Sequence, residues 1–249
     1  SLLATSLAVP ALSLRPASAQ EVFPNRPLTL VIPWAAGGST DVMGRVIAQA
    51  MAADLGQPVV VENRGGASGT IGHHHVARAR PDGYTFLLGT NSTYAIAPHL
   101  MANIPYDNRA AFTGVSLVAR SAQGLCVHPS IPVNTVAEFI AYANSKPGEV
   151  TFSSAGIGAS SHLAAELFQA KAGVRLLHVP YRGGAAAQLD VQAGRVHMIF
   201  DNIPQSLASA RGGQARALAV TGRTRSPQAP DVPTMAEFLP GFELTSWAG

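Results

Sequence analysis

Leu28-Thr29-Leu30-Val31-Ile32-Pro33-Trp34-Ala35-Ala36-Gly37-Gly38-Ser39-Thr40-Asp41 sets an apolar run against a glycine-rich turn and the head of a helix. The run is short, rich in aliphatic residues and shows little alternation, so it reads as a buried strand. Residues 35–41 break it. Val42, Met43, Val46, Ile47, Ala50 and Met51 then recur at helical spacing until Gly56 and Pro58 stop them. The unit continues outward with a strand at Val59-Val60-Val61, a second glycine-rich turn at 65–69, a helix over 71–80 and a strand over 84–89. Strands alternating with helices predict βαβ units and a parallel sheet.

A second region follows the same plan. Thr135-Val136-Ala137-Glu138 has the form of a capping box and opens a helix with Val136, Phe139, Ile140 and Ala143 on one face. Strands are expected at 150–153, 176–179, 196–200 and 217–221, and helices at 163–170, 183–193 and 204–211. Residues 155–161 form another turn rich in Gly and Ser, and Thr234-Met235-Ala236-Glu237 is a second capping box.

A chain of 249 residues suits one large domain or two lobes. Apolar residues at 47% and charged ones at 12% exclude a disordered tail. Seventeen basic against fourteen acidic residues leave only +3, and the densest basic cluster is Arg78 with Arg80. A nucleic-acid binder would show a basic patch. Cys126 stands alone, which excludes an internal disulfide and a cysteine zinc site; in Gly124-Leu125-Cys126-Val127 it reads as a small buried hydrophobe. Residues 1–14 are small and apolar, and Ala17-Ser18-Ala19 before Gln20 supplies a cleavage pattern. Residues 1–19 therefore read as a secretory signal peptide without its basic start. No other stretch reaches the ~18 apolar residues of a membrane span, so the mature chain is expected in the periplasm, not embedded in a membrane.

The turns at 33–41 and 153–162 each follow a strand and open a helix. A helix start exposes unpaired N–H groups and about half a positive charge, glycine admits close approach, and Ser or Thr adds donors. Such a turn suits a carboxylate or phosphate. Two of them in different halves suggest an anion held between lobes; alternatively Ser39 and Ser160 only cap their helices. Asp201 ends an apolar strand where open α/β sheets bind ligands, or it caps the next helix. Arg182 is placed either to pair with a carboxylate or to brace its lobe. Trp34 and Tyr94 could wall a pocket or pack.

Enzyme motifs fail. Gly156-Ile157-Gly158-Ala159-Ser160-Ser161 lacks the third glycine of a dinucleotide fingerprint, and Leu177-His178 lacks the acid that would hold a ribose. No G-x-S-x-G elbow or phosphate loop occurs. Ser160, His162 and Asp201 are poorly spaced for a relay. His73-His74-His75 spreads around a helix instead of sharing the face that i, i+4 ligands need, and reads as a solvated face. No metal and no cofactor is expected.

Phe23-Pro24-Asn25-Arg26-Pro27 running into the opening motif, Val60-Val61-Glu62-Asn63-Arg64-Gly65-Gly66-Ala67, Pro81-Asp82-Gly83-Tyr84-Thr85, Gly156 through His162-Leu163, Val179-Pro180-Tyr181-Arg182-Gly183-Gly184 and Phe200-Asp201-Asn202 come in a familiar order. Together they resemble the extracytoplasmic solute receptors of tripartite tricarboxylate transporters, the Bug family. The resemblance implies an α/β, two-lobed periplasmic binding protein type II fold, with a mainly parallel sheet flanked by helices in each lobe. Lobe one would comprise residues 20–120 plus 215–249, and lobe two residues 121–214. It implies a monomer that closes on a small carboxylate and hands it to membrane transporter subunits. From lobe one, Trp34, Ala36, Gly37, Gly38 and Ser39 would line the cleft with Thr90, Asn91 and Ser92. From lobe two, Ser154, Ala155, Gly156, Gly158, Ser160 and Ser161 would grip the carboxylate, largely through backbone N–H groups, with Asp201 nearby and Arg182 a further candidate. Such receptors continue beyond Trp247-Ala248-Gly249, so lobe one is expected to be incomplete at its C-terminal side. Two other readings share these residues: a hydrolase using the turns as an oxyanion hole, and a sensor-linked receptor of the same fold.

Overall fold

A computed structural model describes residues 22–249, so the expected signal segment lies outside the described residues. The elements run β1 (Leu28–Ile32), α1 (Ser39–Leu55), β2 (Val59–Asn63), α2 (Thr70–Ala77), β3 (Thr85–Leu87), α3 (Ala97–Leu100) and β4 (Ala119–Val127). They continue with α4 (Val136–Ser145), β5 (Thr151–Ser154), α5 (Ser160–Ala172), β6 (Leu177–Pro180), α6 (Gly184–Gln192), β7 (Met198–Asn202), α7 (Ile203–Arg211), β8 (Arg216–Val220) and β9 (Thr245–Ala248).

The opening motif delivers its strand. β1 sits between β2 and β3 in an all-parallel sheet, and Leu28, Leu30, Val31 and Ile32 are buried. Helix α1 lies close against it, because a Cβ on Gly44 would stand 2.4 Å from Ile32 Cδ1. Only glycine permits that approach. Leu30, Ala48 and Leu88 form the core between them.

The second sheet has the order β6-β5-β7-β4-β8. β5 runs parallel to β6 and β7, while β4 is antiparallel to β7 and β8. Phe139, Phe152, Phe168 and Phe200 anchor its core beneath α4 and α5. Strand β4 belongs to both lobes: Gln123–Val127 pair within the second sheet, whereas Ala119–Ala122 pair with β9. β9 in turn reaches the first sheet, through an Ala248–Thr90 bridge and the reciprocal bonds of Gly249 with Gly89 at 2.8 and 3.1 Å. β4 and β9 thus form a two-stranded ribbon between the sheets.

Three expectations change. Residues 216–242 do not return to lobe one: β8 pairs with β4, and Leu218, Ala219, Met235, Leu239 and Phe242 join the second core. The open edge of β4 takes the next apolar strand, and only β9 crosses back. The second capping box is present, yet it opens a single 3₁₀ turn at Met235–Glu237, while Thr135 caps α4 as expected by accepting from the Glu138 N–H at 3.1 Å. The triple histidine is not a solvated face throughout. His73 is fully buried, packed among Tyr94, Tyr106 and Phe112, and donates through Nδ1 to Gly69 O at 3.1 Å. Cys126 is the expected buried hydrophobe, and burial pushes its thiol up to about 12.

Candidate binding cleft

A cavity of about 650 Å³ lies where the two sheets meet, walled by the turn after β1, residues 90–92, the cleft half of β4, the turn before α5, the end of β7 and the end of β9. Helices α1, α5 and α7 all point their first turns into it, through Ser39, Ser160 and Ile203. First-turn N–H groups have no partner inside their own helix and carry the positive end of the macrodipole. Their convergence adds partial positive charge to a cavity whose lining also includes Arg120, Arg223 and Arg225.

The serines at the helix starts do not cap. The caps are Gly38 and Ala159, both extended and without side-chain bonds. Ser39 Oγ instead accepts from Asn202 Nδ2 at 2.6 Å, and Ser160 Oγ accepts from Gln123 Nε2 at 2.9 Å. The Ser160 N–H donates to Ser92 Oγ at 3.2 Å, and Ser68 Oγ donates to the Ile157 carbonyl. Ser39–Asn202, Ser92–Ser160 and Ser68–Ile157 therefore tie the first lobe to the second across the cleft.

Each turn is held from behind. In the first, Asp41 accepts from the Gly37 N–H at 2.9 Å, from Asn63 Nδ2 at 2.9 Å and from Arg45 Nε at 3.1 Å, and Asn63 also donates to Trp34 O. Burial would raise the Asp41 carboxyl, but these donors outweigh it and hold the group below its ordinary range. In the second, the Ala155 N–H donates to Ser161 Oγ at 3.0 Å, the Gly156 N–H to Ser154 Oγ at 3.2 Å and the Gly158 N–H to His162 Nδ1 at 3.2 Å. Those N–H groups already have partners. The expected backbone grip narrows to the head of α5, where Ser161 borders the cavity.

Four buried polar atoms on cavity-lining residues have no partner among the described residues: Trp34 Nε1, Thr90 Oγ1, Gln123 Oε1 and Asn202 Oδ1. Most buried side-chain polar atoms in native proteins are paired; here Trp34 Nε1 and Thr90 Oγ1 remain able to donate, and the two amide oxygens only to accept. Asp201 also borders the cavity. Burial pushes its carboxyl up to about 7, against the pull of the Asn202 N–H donating to Oδ1 at 2.8 Å. It does not cap α7, whose cap is Asn202.

Of the residues singled out from sequence, Trp34, Gly38, Ser39, Thr90, Asn91, Ser92, Ala155, Ser160, Ser161 and Asp201 meet at this cavity. Ala36, Ser154, Gly156 and Gly158 stand behind it as parts of the turns, and Gly37 lines a smaller neighbouring cavity of about 370 Å³. Arg182 is exposed and outside both linings, and it is the next residue, Gly183, that approaches Ala35 closely. Tyr94 packs with His73, Phe112 and Trp247 instead of walling the cavity. Ser160, His162 and Asp201 form no relay: the serine bonds Gln123, and His162 bonds Gly158 and faces Glu166. Among the described residues no group of three or more metal-ligating side chains forms a site, and no helix is long and apolar enough to cross a membrane.

Sequence reading missed Gln123, Asn202 and Ser246. Asn202 was within reach, since it follows Asp201 at the same strand end. Gln123 and Ser246 sit on the ribbon, whose cleft half carries no apolar run to announce it.

Comparison with known proteins agrees with this architecture. A family profile described as "Tripartite tricarboxylate transporter family receptor" matches residues 43–249. The protein BugT of Bordetella pertussis is 40% identical over 229 residues, 91% of this chain and 70% of its own length. Among solved structures, Rpa4515 of R. palustris with adipate is 40% identical with a TM-score of 0.89, covering 91% of this chain and 76% of that one. MatC of Rhodopseudomonas palustris with bound malate is 34% identical with a TM-score of 0.86, covering 91% and 78%. The match along the chain and the agreement of the fold lead to one conclusion: this chain belongs to the tripartite tricarboxylate transporter receptor family.

Proposed function

We propose that this protein is a periplasmic solute receptor that closes its cleft on a small carboxylate and presents it, as a monomer, to the membrane subunits of a tripartite transporter. The observation that carries this reading is the pair of unpaired donors, Trp34 Nε1 and Thr90 Oγ1, beside a cavity faced by three helix starts. An anion accepts from the indole N–H, the hydroxyl and the first-turn N–H groups together, which is how a weakly charged chain binds charge. The relatives fit that chemistry, one solved with adipate and one with malate. Export through cleavage after Ala19 and the role as binder, not catalyst, belong to the same proposal.

The test is a thermal-shift screen of C3 to C6 mono- and dicarboxylates at pH 7.5, followed by calorimetry. At a hundredfold excess over Kd a true ligand adds about 2.7 kcal/mol, raising the melting temperature by roughly 5–10 °C. Binding should be one to one, without turnover, and weaker about tenfold in Trp34→Phe, which loses one charge-assisted donor. A library in which neutral analogues bind as tightly as carboxylates would overturn the reading.

A further inference from the structure

Beneath the turn of residues 154–158 lies a stack of three rings. His162 and His178 lie 4.3 Å apart between centroids at an interplanar angle of 16°, and Phe152 covers His178 at 4.6 Å and 10°. Neither histidine touches the cavity. Each holds one point of the turn above it. The Gly158 N–H donates to His162 Nδ1 at 3.2 Å, so that nitrogen keeps its lone pair and the ring proton resides on Nε2, facing Glu166 Oε1 at 3.5 Å. His178 Nε2 lies 2.6 Å from Ser154 Oγ, the same oxygen that accepts the Gly156 N–H at 3.2 Å. Gly156 and Gly158 have φ of 132° and 83°, so the bonds to the two rings select one shape from the many that glycine allows.

We propose that His162 and His178 are positioning residues for the turn that leads into the head of α5: the neutral stacked pair sets residues 154–158, and a proton on His162 Nδ1 releases them. The proposal rests on the carboxylate reading only for its effect on affinity. Protonation at Nδ1 would set one N–H against another and leave the Gly158 donor without an acceptor. It would also place a cation on the face of a second imidazole. The titratable groups facing the pair are Glu166 of α5, which favours the charged form of His162, and each imidazole for the other; β5 contributes only Phe152 and Ser154. Burial lowers both rings, His178 to about 4, so the neutral pair holds at pH 7 and gives way in acid.

The decisive experiment follows the Gly156 and Gly158 amide resonances and the histidine ring signals of the ligand-free protein from pH 7.5 to 4. The Gly158 amide is expected to move with the midpoint of the His162 ring. A Gly158 amide that stays still while His162 titrates overturns the proposal. In parallel, calorimetry with a C6 dicarboxylate compares the protein with His162→Asn, whose side-chain oxygen replaces Nδ1 as acceptor but does not titrate. The ratio of the two affinities cancels the titration of the dicarboxylate and of Asp201. It should be within about twofold at pH 7.5 and shift at least fivefold against the wild type at a pH one unit below the His162 ring midpoint; an unchanged ratio there marks a merely structural stack and rejects the idea. If the dicarboxylate fails to bind either protein at pH 7.5, the carboxylate reading falls and the amide titration still decides this one.

Discussion

Asp201 and His73 give this chain two opposed responses to pH. The Asp201 carboxyl is raised to about 7 by burial, so between its unfolded value near 3.9 and 7 the folded state holds a proton that the unfolded state has lost. Stability from this group therefore declines as pH rises through that window. His73 is lowered to about 4 by burial, with its Gly69 bond pulling the other way. Here the unfolded chain takes the proton first, below about 6.5, so stability is lost as pH falls from there toward 4. Replacing Asp201 by Asn removes the alkaline penalty and keeps the shape. The unfolding free energy of Asp201→Asn should exceed that of the parent at pH 8, by on the order of 2 kcal/mol once relaxation is discounted, and the advantage should vanish near pH 4. A gain of equal size at both pH values would show that the carboxyl is not the cause.

At the scale of elements, the turn before α5 works through its shape more than through its own donors. Gly158 has φ of 83°, and a Cβ there would meet Leu100 Cδ1 of the first lobe at 3.3 Å. Gly158→Val would thus strain the backbone by about 1–2 kcal/mol and wedge the lobes apart, although Gly158 does not border the cavity. Calorimetry should show weakened carboxylate binding in Gly158→Val and partial recovery in Gly158→Val with Leu100→Ala. No recovery would mean that the side chain obstructs the ligand itself. The turns were legible because glycine and serine crowd between an apolar run and a helical period. The ribbon was not: Ala119-Arg120-Ser121-Ala122-Gln123 has no apolar pattern, since one side of it faces the cleft. Nor could an apolar run such as 216–220 reveal which strand edge it would join. Ser39 and Asn202 meet across 163 positions of sequence, and no local pattern announces such a pair.

For the whole molecule, closure is held by polar contacts that either lobe could lose to water. Asn202 Nδ2 donates to Ser39 Oγ at 2.6 Å, a tie with a side chain on both sides, and such bonds contribute about 1 kcal/mol each. Asn202→Ala should therefore shift the unliganded protein toward an open form, seen as a larger radius of gyration by solution scattering, and Ser39→Ala should add little to it because both remove the same bond. Additive increases would place the two residues in separate interactions.

The ribbon of β4 and β9 has one more consequence. Among the described residues the backbone passes between the sheets only along these two strands, laid side by side and zipped by their own ladder. A zipped pair resists shear along its length and splay across it, so bending is the soft mode that remains. A bend along this ribbon would open or narrow the cleft while leaving each sheet as it is. One dye on each lobe, far from the cleft, would report that bend as a change in distance.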